Sequence, residues 1–174
     1  INVSLRQNKL MRYEIIDNSL FINNRKNFLD KVDKNSASVF VSNEFMPTNA
    51  DETLHFVQNT NLLYLTGIDQ EDTFLILAPN FPDKKMREIL FIKETSEEIA
   101  IWEGNKFTKE EARKISGIET IIWNNNFKNV LDLILAQTES IYLEKNEHIR
   151  SSTKIETPQD RFLNEIKKSY RKLS

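Results

Sequence analysis

Residues 49–79 read N-A-D-E-T-L-H-F-V-Q-N-T-N-L-L-Y-L-T-G-I-D-Q-E-D-T-F-L-I-L-A-P, and the fold prediction starts from this stretch. A polar segment leads into aromatic and aliphatic side chains at 62–65, and a turn follows at Thr66-Gly67. Residues 73–78 form a continuous apolar run with the composition of a buried strand. Gly67 is one of only three glycines. Because glycine lacks Cβ, it is used where the backbone turns tightly or packs closely. The stretch therefore predicts a loop, a fixed corner and a core strand.

Strand and helix patterns alternate on both sides of this stretch. Further strands are predicted at 37–41, 88–93, 119–123 and 140–143. Residues 79–85 contain two prolines, an Asn and an Asp, which predicts an antiparallel hairpin between the strands on either side. Helices are predicted at 21–32, 108–116, 127–137 and from Thr157 onward. This alternation predicts an α/β fold, a single three-layer domain with a mixed β-sheet flanked by helices.

The first predicted helix has apolar and charged residues at helical spacing. Its apolar positions are Phe21, Ile22, Phe28, Leu29 and Val32. The charged residues Arg25, Lys26, Asp30 and Lys31 lie between them, so they are expected on an outer, solvated face. Asn18 or Ser19 is expected to cap this helix.

Two other helices carry boundary signals. Residues 108–111, T-K-E-E, form a capping box, in which Thr108 and Glu111 each satisfy a free amide of the other. Gly117 follows the predicted end of that helix, where a left-handed cap favours glycine. Thr157-Pro158 places a capping threonine before a proline at the first helical position. We expect both helices to begin at these threonines.

Composition excludes several classes of protein. The 174 residues are 39% hydrophobic and 29% charged, which is ordinary for one soluble domain with a core. The net charge of −2 and pI of about 5.8 provide no general attraction to nucleic acid or to anionic membranes. No apolar run approaches the roughly 20 residues of a spanning helix. The chain has no cysteine, which excludes disulfides and cysteine–zinc sites. We expect a cytoplasmic protein that binds neither nucleic acid nor membrane.

The sequence contains no recognisable catalytic or metal-binding motif. His55 and His148 are far apart, and neither belongs to an H-E-x-x-H pattern. A G-x-S-x-G nucleophile elbow and the glycine-rich phosphate loops are also missing. The residues themselves therefore predict an α/β domain with no catalytic residue and no metal ligand of its own.

Three motifs in order resemble the N-terminal domain of Xaa-Pro aminopeptidases (aminopeptidase P), in the creatinase and prolidase N-terminal domain family. Residues 49–77 are similar to that family's Asp-containing loop, its aromatic-Arg-Gln-Asn/Asp segment, its Y-L-T/F-G and the following strand. I-W-E-G at 101–104 is similar to the family's W-x-G, which precedes a capped helix. D-R-F-L-N-E-I-K-K at 160–168 resembles the linker helix.

The resemblance implies a division of the chain into three parts. Residues 1–10, ahead of Met11, are interpreted as a leader or a cloning remnant. Residues 11–156 correspond to the N-terminal domain. Residues 157–174 correspond to the start of the linker helix, which in the family leads to a C-terminal catalytic domain. That domain holds two divalent metals, usually manganese, and it is expected to lie outside this chain.

The resemblance also implies roles for particular residues. In relatives the N-terminal domain mediates contacts in a homo-oligomer and helps to wall off a neighbouring subunit's active site. By motif match, Asp51 and Trp102 are expected to project toward such a site and to control substrate access, while Tyr64 and Gly67 are assigned to the fold. Val57 stands where the family often has arginine. Leu62 and Leu63 replace typical aromatic residues.

Three functions remain open on the sequence alone. The first is the non-catalytic domain of an enzyme that removes the N-terminal residue from peptides with proline second. The second is a protein-binding module of a catalytically inactive relative, similar to domains in histone-chaperone subunits. The third is the corresponding domain of a prolidase or creatinase-type enzyme. Metal ligands downstream of this domain would favour an enzyme, and their loss would favour the binding module.

Overall fold

The core is a five-stranded mixed sheet, found in a computed structural model that describes residues 16–96, 106–145 and 156–170. Its strands are β1 (Ser36–Val41), β2 (Phe74–Leu77), β3 (Glu88–Ile92), β4 (Thr120–Trp123) and β5 (Ser140–Leu143). Their spatial order is β4-β3-β2-β1-β5. β2 is antiparallel to both β1 and β3, whereas β5 is parallel to β1 and β4 is parallel to β3. The predicted mixed sheet and the predicted hairpin between β2 and β3 are confirmed.

Helices cover both faces of this sheet. They are α1 (Ser19–Leu29), α2 (Thr60–Thr66), α3 (Lys109–Ser116), α4 (Phe127–Leu135) and α5 (Pro158–Ser169). One buried cluster joins β1, β2 and β3 to α4 and α5, and a second joins the opposite face of these strands to α2 and α3. Side chains of α1 pack against the second cluster. Successive side chains along a strand point to opposite faces of the sheet, so the strands contribute to a buried cluster on each face. The sheet and the helices on its two faces make three layers. None of the helices in the described ranges is long and apolar enough to cross a membrane.

The helix boundaries predicted from threonine and glycine are confirmed. Thr108 Oγ1 accepts a hydrogen bond from Glu111 N–H (3.2 Å), and Glu111 Oε2 accepts one from Thr108 N–H (2.9 Å). Gly117 follows α3 with φ of +70°, in the left-handed region. Thr157 caps α5 in the same reciprocal way, with Asp160 as its partner and Pro158 at the first position. These ends are determined by local chemistry, so the sequence alone identifies them.

The prediction that Arg25 lies on a solvated face of α1 is wrong. Its side chain is 1% exposed, and its guanidinium makes three hydrogen bonds. Nε donates to Glu88 Oε2 (2.9 Å), and Nη1 donates to the main-chain carbonyls of Leu65 (2.8 Å) and Ser116 (2.9 Å). These carbonyls lie at the ends of α2 and α3, where a helix leaves acceptors without partners. A buried cation satisfies them, so tertiary packing overrides the charge pattern of α1.

The predicted cap of α1 is also wrong in its chemistry. Asn18 occupies the cap position, but its side chain makes no capping bond. Its Nδ2 donates instead to the Lys114 carbonyl at 3.2 Å. Asp17 Oδ1 accepts from Ser19 N–H (2.9 Å) and so satisfies a free amide at the start of the helix.

Residues 62–65, predicted as a cluster beside a turn, form part of the helix α2. Asn59 caps this helix, because its Oδ1 accepts from the N–H groups of Asn61 (2.9 Å) and Leu62 (3.0 Å). Gly67 ends the helix with φ of +70°, as the predicted corner requires. Tyr64 lies within α2, and its carbonyl accepts from Asn24 Nδ2 (2.8 Å). Its side chain is 55% exposed.

Candidate functional site

The segment between β1 and α2, residues 42–59, carries most of the stretch from which the fold was predicted. We call it the 42–59 loop. β1, β3, β4 and β5 run in one direction, so the carboxyl ends of four strands meet at the edge where this loop begins. In α/β proteins this edge is where binding residues usually gather. The loop is therefore in the position of a functional element.

Asp51 lies at the tip of a small hairpin within this loop. Two backbone hydrogen bonds close the hairpin and form the antiparallel bridge between Pro47 and Thr53: Thr48 N–H donates to the Glu52 carbonyl (3.0 Å), and Leu54 N–H donates to the Met46 carbonyl (2.9 Å). Ala50 takes a positive φ of 54°, which turns the chain just before Asp51. The Asp51 side chain is exposed. The hairpin thus presents a solvated carboxylate.

Gln58 anchors the base of the loop from inside the domain. Its side chain is 4% exposed. Nε2 donates to the carbonyls of Ile68 (3.2 Å) and Gln70 (2.7 Å), while Oε1 accepts from the N–H groups of Asn43 (3.3 Å) and Asn59 (2.8 Å). The amide uses both donors and its acceptor, so the two ends of the loop are held to the segment before β2. Gln58 is therefore a buried residue within the polar segment that precedes residues 62–65.

Glu144 forms a second anchor at the end of β5. Its Oε1 accepts from Asn61 Nδ2 (2.6 Å) and its Oε2 from Asn59 Nδ2 (3.3 Å). Burial raises the pKa of the Glu144 carboxyl above its ordinary value, and the hydrogen bonds from Asn61, the Val41 amide and Asn59 only partly offset this. The carboxyl ties the first turn of α2 to the neighbouring sheet edge.

Helix α5 holds the beginning of the loop. Gln159 Nε2 donates to the Val41 carbonyl (3.0 Å) and to Asn43 Oδ1 (3.2 Å). Arg161 pairs with Glu44 nearby, at the surface. The helix that resembles a linker in the family is thus packed on this domain and contacts the same loop.

Lys106 forms a further anchor. Its Nζ makes an ion pair with Glu71, and both side chains are almost buried, at 11% and 10% exposed. The same Nζ lies 5.8 Å from the ring centroid of Phe45. Phe45 in turn contacts Phe56, with ring centroids 5.3 Å apart. A cation and two aromatic rings therefore connect the loop to the chain on either side of β2 and β3.

The loop also exposes four apolar side chains. They are Phe45, Met46, Leu54 and Val57. Val57, at the position of the family's arginine, is 67% exposed. Several exposed apolar side chains on one short segment are typical of a contact surface.

The predicted site residues have different outcomes. Asp51 is exposed in the loop, as described, and its role stays a prediction. Trp102 lies in 97–105, outside the described residues, as do His148 and residues 1–15. His55 is exposed. In the described ranges, no group of three or more His, Cys, Asp or Glu residues could hold a metal ion.

Sequence reasoning missed the anchors of the loop. Gln58 stands inside the motif that carried the family resemblance, and that motif was the one available signal for it. Glu144 and Lys106 have no local signal, because their partners are 83 and 35 residues away.

Comparison with known proteins identifies the class of domain. The family described as aminopeptidase P, N-terminal domain, matches residues 21–142. Since this is more than half of the chain, the chain belongs to that family. The predicted resemblance and the predicted fold class are both confirmed.

Three relatives illustrate the match. Xaa-Pro aminopeptidase 3 from Homo sapiens is 25% identical over 109 residues, which cover 61% of this chain and 21% of that protein. An aminopeptidase P structure from Bacillus anthracis has a TM-score of 0.80 at 25% identity, covering 91% of this chain and 38% of that chain. Zinc-substituted Escherichia coli aminopeptidase P in complex with product has a TM-score of 0.72 at 18% identity, covering 91% and 34%. The chain thus spans between about a fifth and two fifths of the length of these relatives.

Proposed function

We propose that this domain is the non-catalytic N-terminal part of a metal-dependent Xaa-Pro aminopeptidase, in which it makes oligomer contacts and controls substrate access. The whole protein would remove the N-terminal residue of peptides whose second residue is proline, in the cytoplasm. One observation carries the proposal: an exposed hairpin with Asp51 at its tip, on a loop anchored by buried polar side chains. Family membership and the relatives' names support the activity of the whole protein.

The anchors explain why the loop suits this role. A wall around an active site discriminates between substrates only if its position is well defined, since a mobile loop would yield to large peptides. Gln58 links Asn43, at the start of the loop, to the Gln70 carbonyl before β2, and Glu144 after β5 accepts from Asn61 just beyond the end of the loop. The exposed apolar side chains of the loop would lie against another subunit or against the peptide.

The metals belong to another part of the protein in this proposal. Two divalent cations, manganese by resemblance, would supply an activated hydroxide and stabilise negative charge in the transition state. The described residues of this domain contain no suitable ligand cluster. We therefore assign the metals to a C-terminal catalytic domain, and we assign no part in the bond-breaking chemistry to the described residues of this domain.

Substrate length provides the test of access control. We expect Asp51→Asn, in the full-length protein with manganese, to change kcat/KM for peptides of five or more residues about threefold or more. Cleavage of an Xaa-Pro dipeptide should change less than twofold. Glu119→Gln is the matched control, because Glu119 is an exposed carboxylate preceding β4 at the opposite end of the sheet. Equal effects on short and long substrates, or none on either, would contradict access control.

Oligomer contacts require a separate measurement. Val57→Lys places a charge on the exposed apolar surface of the loop without disturbing a buried group. Analytical ultracentrifugation of the full-length protein should show a shift toward smaller species, while Lys84→Met, on the exposed hairpin between β2 and β3, should not change the distribution. An unchanged distribution for Val57→Lys would remove this loop from the interface. A full-length protein that cleaves no Xaa-Pro peptide would favour the binding-module alternative.

A further inference from the structure

Lys106 is an almost buried cation at the edge of the sheet that carries the 42–59 loop. Its partner Glu71 is equally buried, so both charges have lost most of their water. The cost of removing two charges from water can exceed the attraction between them, and apolar side chains of similar size often serve stability as well. Stability alone is therefore a weak reason for an ion pair at this position.

The pair connects separate segments of the chain. Glu71 precedes β2, Lys106 precedes α3, and Phe45 belongs to the 42–59 loop. Beside Lys106, the N–H of Phe107 donates to Gln70 Oε1 at 2.7 Å. The Gln70 carbonyl accepts from Gln58, the anchor at the base of the loop.

The position of Lys106 favours one orientation of the Phe45 ring and hence of the 42–59 loop. A cation is attracted to the face of an aromatic ring, and Lys106 Nζ lies within the distance at which this attraction acts on Phe45. The same ammonium is held by its ion pair with Glu71. An apolar residue in place of Lys106 would fill space without preferring one orientation of the Phe45 ring.

We propose that Lys106 is a positioning residue, which holds the 42–59 loop in its substrate-facing orientation by pairing with Glu71 and attracting the Phe45 ring. This inference rests on the proposed role of the loop in substrate access. It adds a specificity-determining residue that contacts neither the metals nor the scissile bond.

The test uses three variants of the full-length protein. Lys106→Met removes the cation and leaves Glu71 unpaired. Lys106→Met with Glu71→Met replaces the pair by apolar side chains and avoids the unpaired charge. Lys106→Arg keeps a cation. The measurements are hydrogen exchange of the Thr48 and Leu54 amides, which close the hairpin, together with KM for long peptides and the urea midpoint of unfolding.

We expect at least tenfold faster exchange of these two amides and at least a threefold higher KM for long peptides in Lys106→Met. The double variant should regain the wild-type urea midpoint while keeping both defects. Lys106→Arg should keep both properties close to wild type. Cleavage of an Xaa-Pro dipeptide should change less than twofold in all three variants.

Loop exchange in the double variant is the deciding measurement. Wild-type exchange and wild-type KM in a double variant of restored stability would overturn the inference, because the pair would then be only a stabilising contact. If loop exchange rises but neither Asp51→Asn nor the Lys106 variants affect long peptides, the proposed access function fails. If Asp51→Asn discriminates by length and the double variant behaves as wild type, only the role of Lys106 fails.

Discussion

The two glycines that end α2 and α3 allow backbone strain to be separated from packing. Gly67 and Gly117 both have φ of +70°. A Cβ at Gly67 would lie 2.4 Å from Cε2 and Cζ of Phe21, a ring that is only 6% exposed. A Cβ at Gly117 would lie 2.7 Å from Cδ1 of Ile22, the far end of a flexible side chain that is 43% exposed. An alanine would therefore cost the same backbone strain at both positions, whereas the steric cost of its methyl group would differ.

These contacts give a predicted magnitude for each alanine substitution. A non-glycine residue in the left-handed region costs about 1–2 kcal/mol at either position. Gly67→Ala adds an overpacking cost of about 1–3 kcal/mol, because the buried ring of Phe21 cannot move aside freely. Gly117→Ala adds little, since Ile22 can rotate into solvent. We expect the free energy of unfolding to fall by about 2–5 kcal/mol for Gly67→Ala and by about 1–2 kcal/mol for Gly117→Ala.

Urea unfolding followed by circular dichroism measures both values on the same protein. The dependence of the free energy on urea should be unchanged, because neither substitution alters the surface exposed on unfolding. Adding Phe21→Leu to Gly67→Ala should recover part of the loss, since the smaller side chain makes room for the new methyl group. The reasoning is refuted if Gly117→Ala is as destabilising as Gly67→Ala, or if Phe21→Leu simply adds its own cost.

Three further predictions concern Arg25, Glu144 and Thr108. Arg25→Met should lower the free energy of unfolding by about 3 kcal/mol. This is the lower limit for breaking a buried ion pair, and it applies because Glu88 is one-third exposed. Exposed Lys26→Met should change it by less than about 0.5 kcal/mol. Burial raises the folded-state pKa of Glu144, so the wild type should lose stability relative to Glu144→Gln as pH rises through that pKa. Urea midpoints from pH 4 to 7 test the sign. Thr108→Ala removes half of a capping box and should cost about 1 kcal/mol by urea unfolding.

Local chemistry explains which parts of the fold could be predicted from the sequence. Thr108 and Thr157 act on amides within three residues, and Gly67 and Gly117 reverse the chain at single positions. The apolar run 73–78 is long enough for a core strand and too short for most helices. Such features depend on neighbours in sequence, so residue patterns identify them and, with them, the fold class.

Long-range contacts explain what the sequence did not reveal. Arg25 fits a charged helix face by spacing, yet its three partners lie 40, 63 and 91 residues away. α2 has only seven residues, too few for a helical period to appear, and its cap and packing decide its conformation. The anchors of the loop depend in the same way on segments that meet only in the folded chain. Asp51 was proposed as a site residue only because it belongs to the motif that carries the family resemblance, and its role stays a prediction.

The ends of α2 and α3 share a construction that bears on the loop. Thr66 and Ser116 each donate a hydroxyl hydrogen bond to the carbonyl four residues earlier (2.7 Å in both cases). Each hydroxyl oxygen also accepts from the N–H of the isoleucine two residues later (3.1 Å in both cases). These isoleucines, Ile68 and Ile118, are completely buried. The chain therefore leaves each helix through a corner with the same hydrogen-bond pattern, and each corner leads to a buried isoleucine.

α1 contacts the C-terminal ends of both α2 and α3. Phe21 and Ile22 pack over the two glycines, and Arg25 Nη1 donates to a carbonyl at the end of each helix. α2 begins directly after the 42–59 loop, and the Ile68 carbonyl accepts from the anchor Gln58. The C-terminal end of the loop is therefore connected to the buried centre of the domain through α2. It follows that Arg25→Met should loosen the hairpin as well as the core, which faster hydrogen exchange of the Thr48 and Leu54 amides would show.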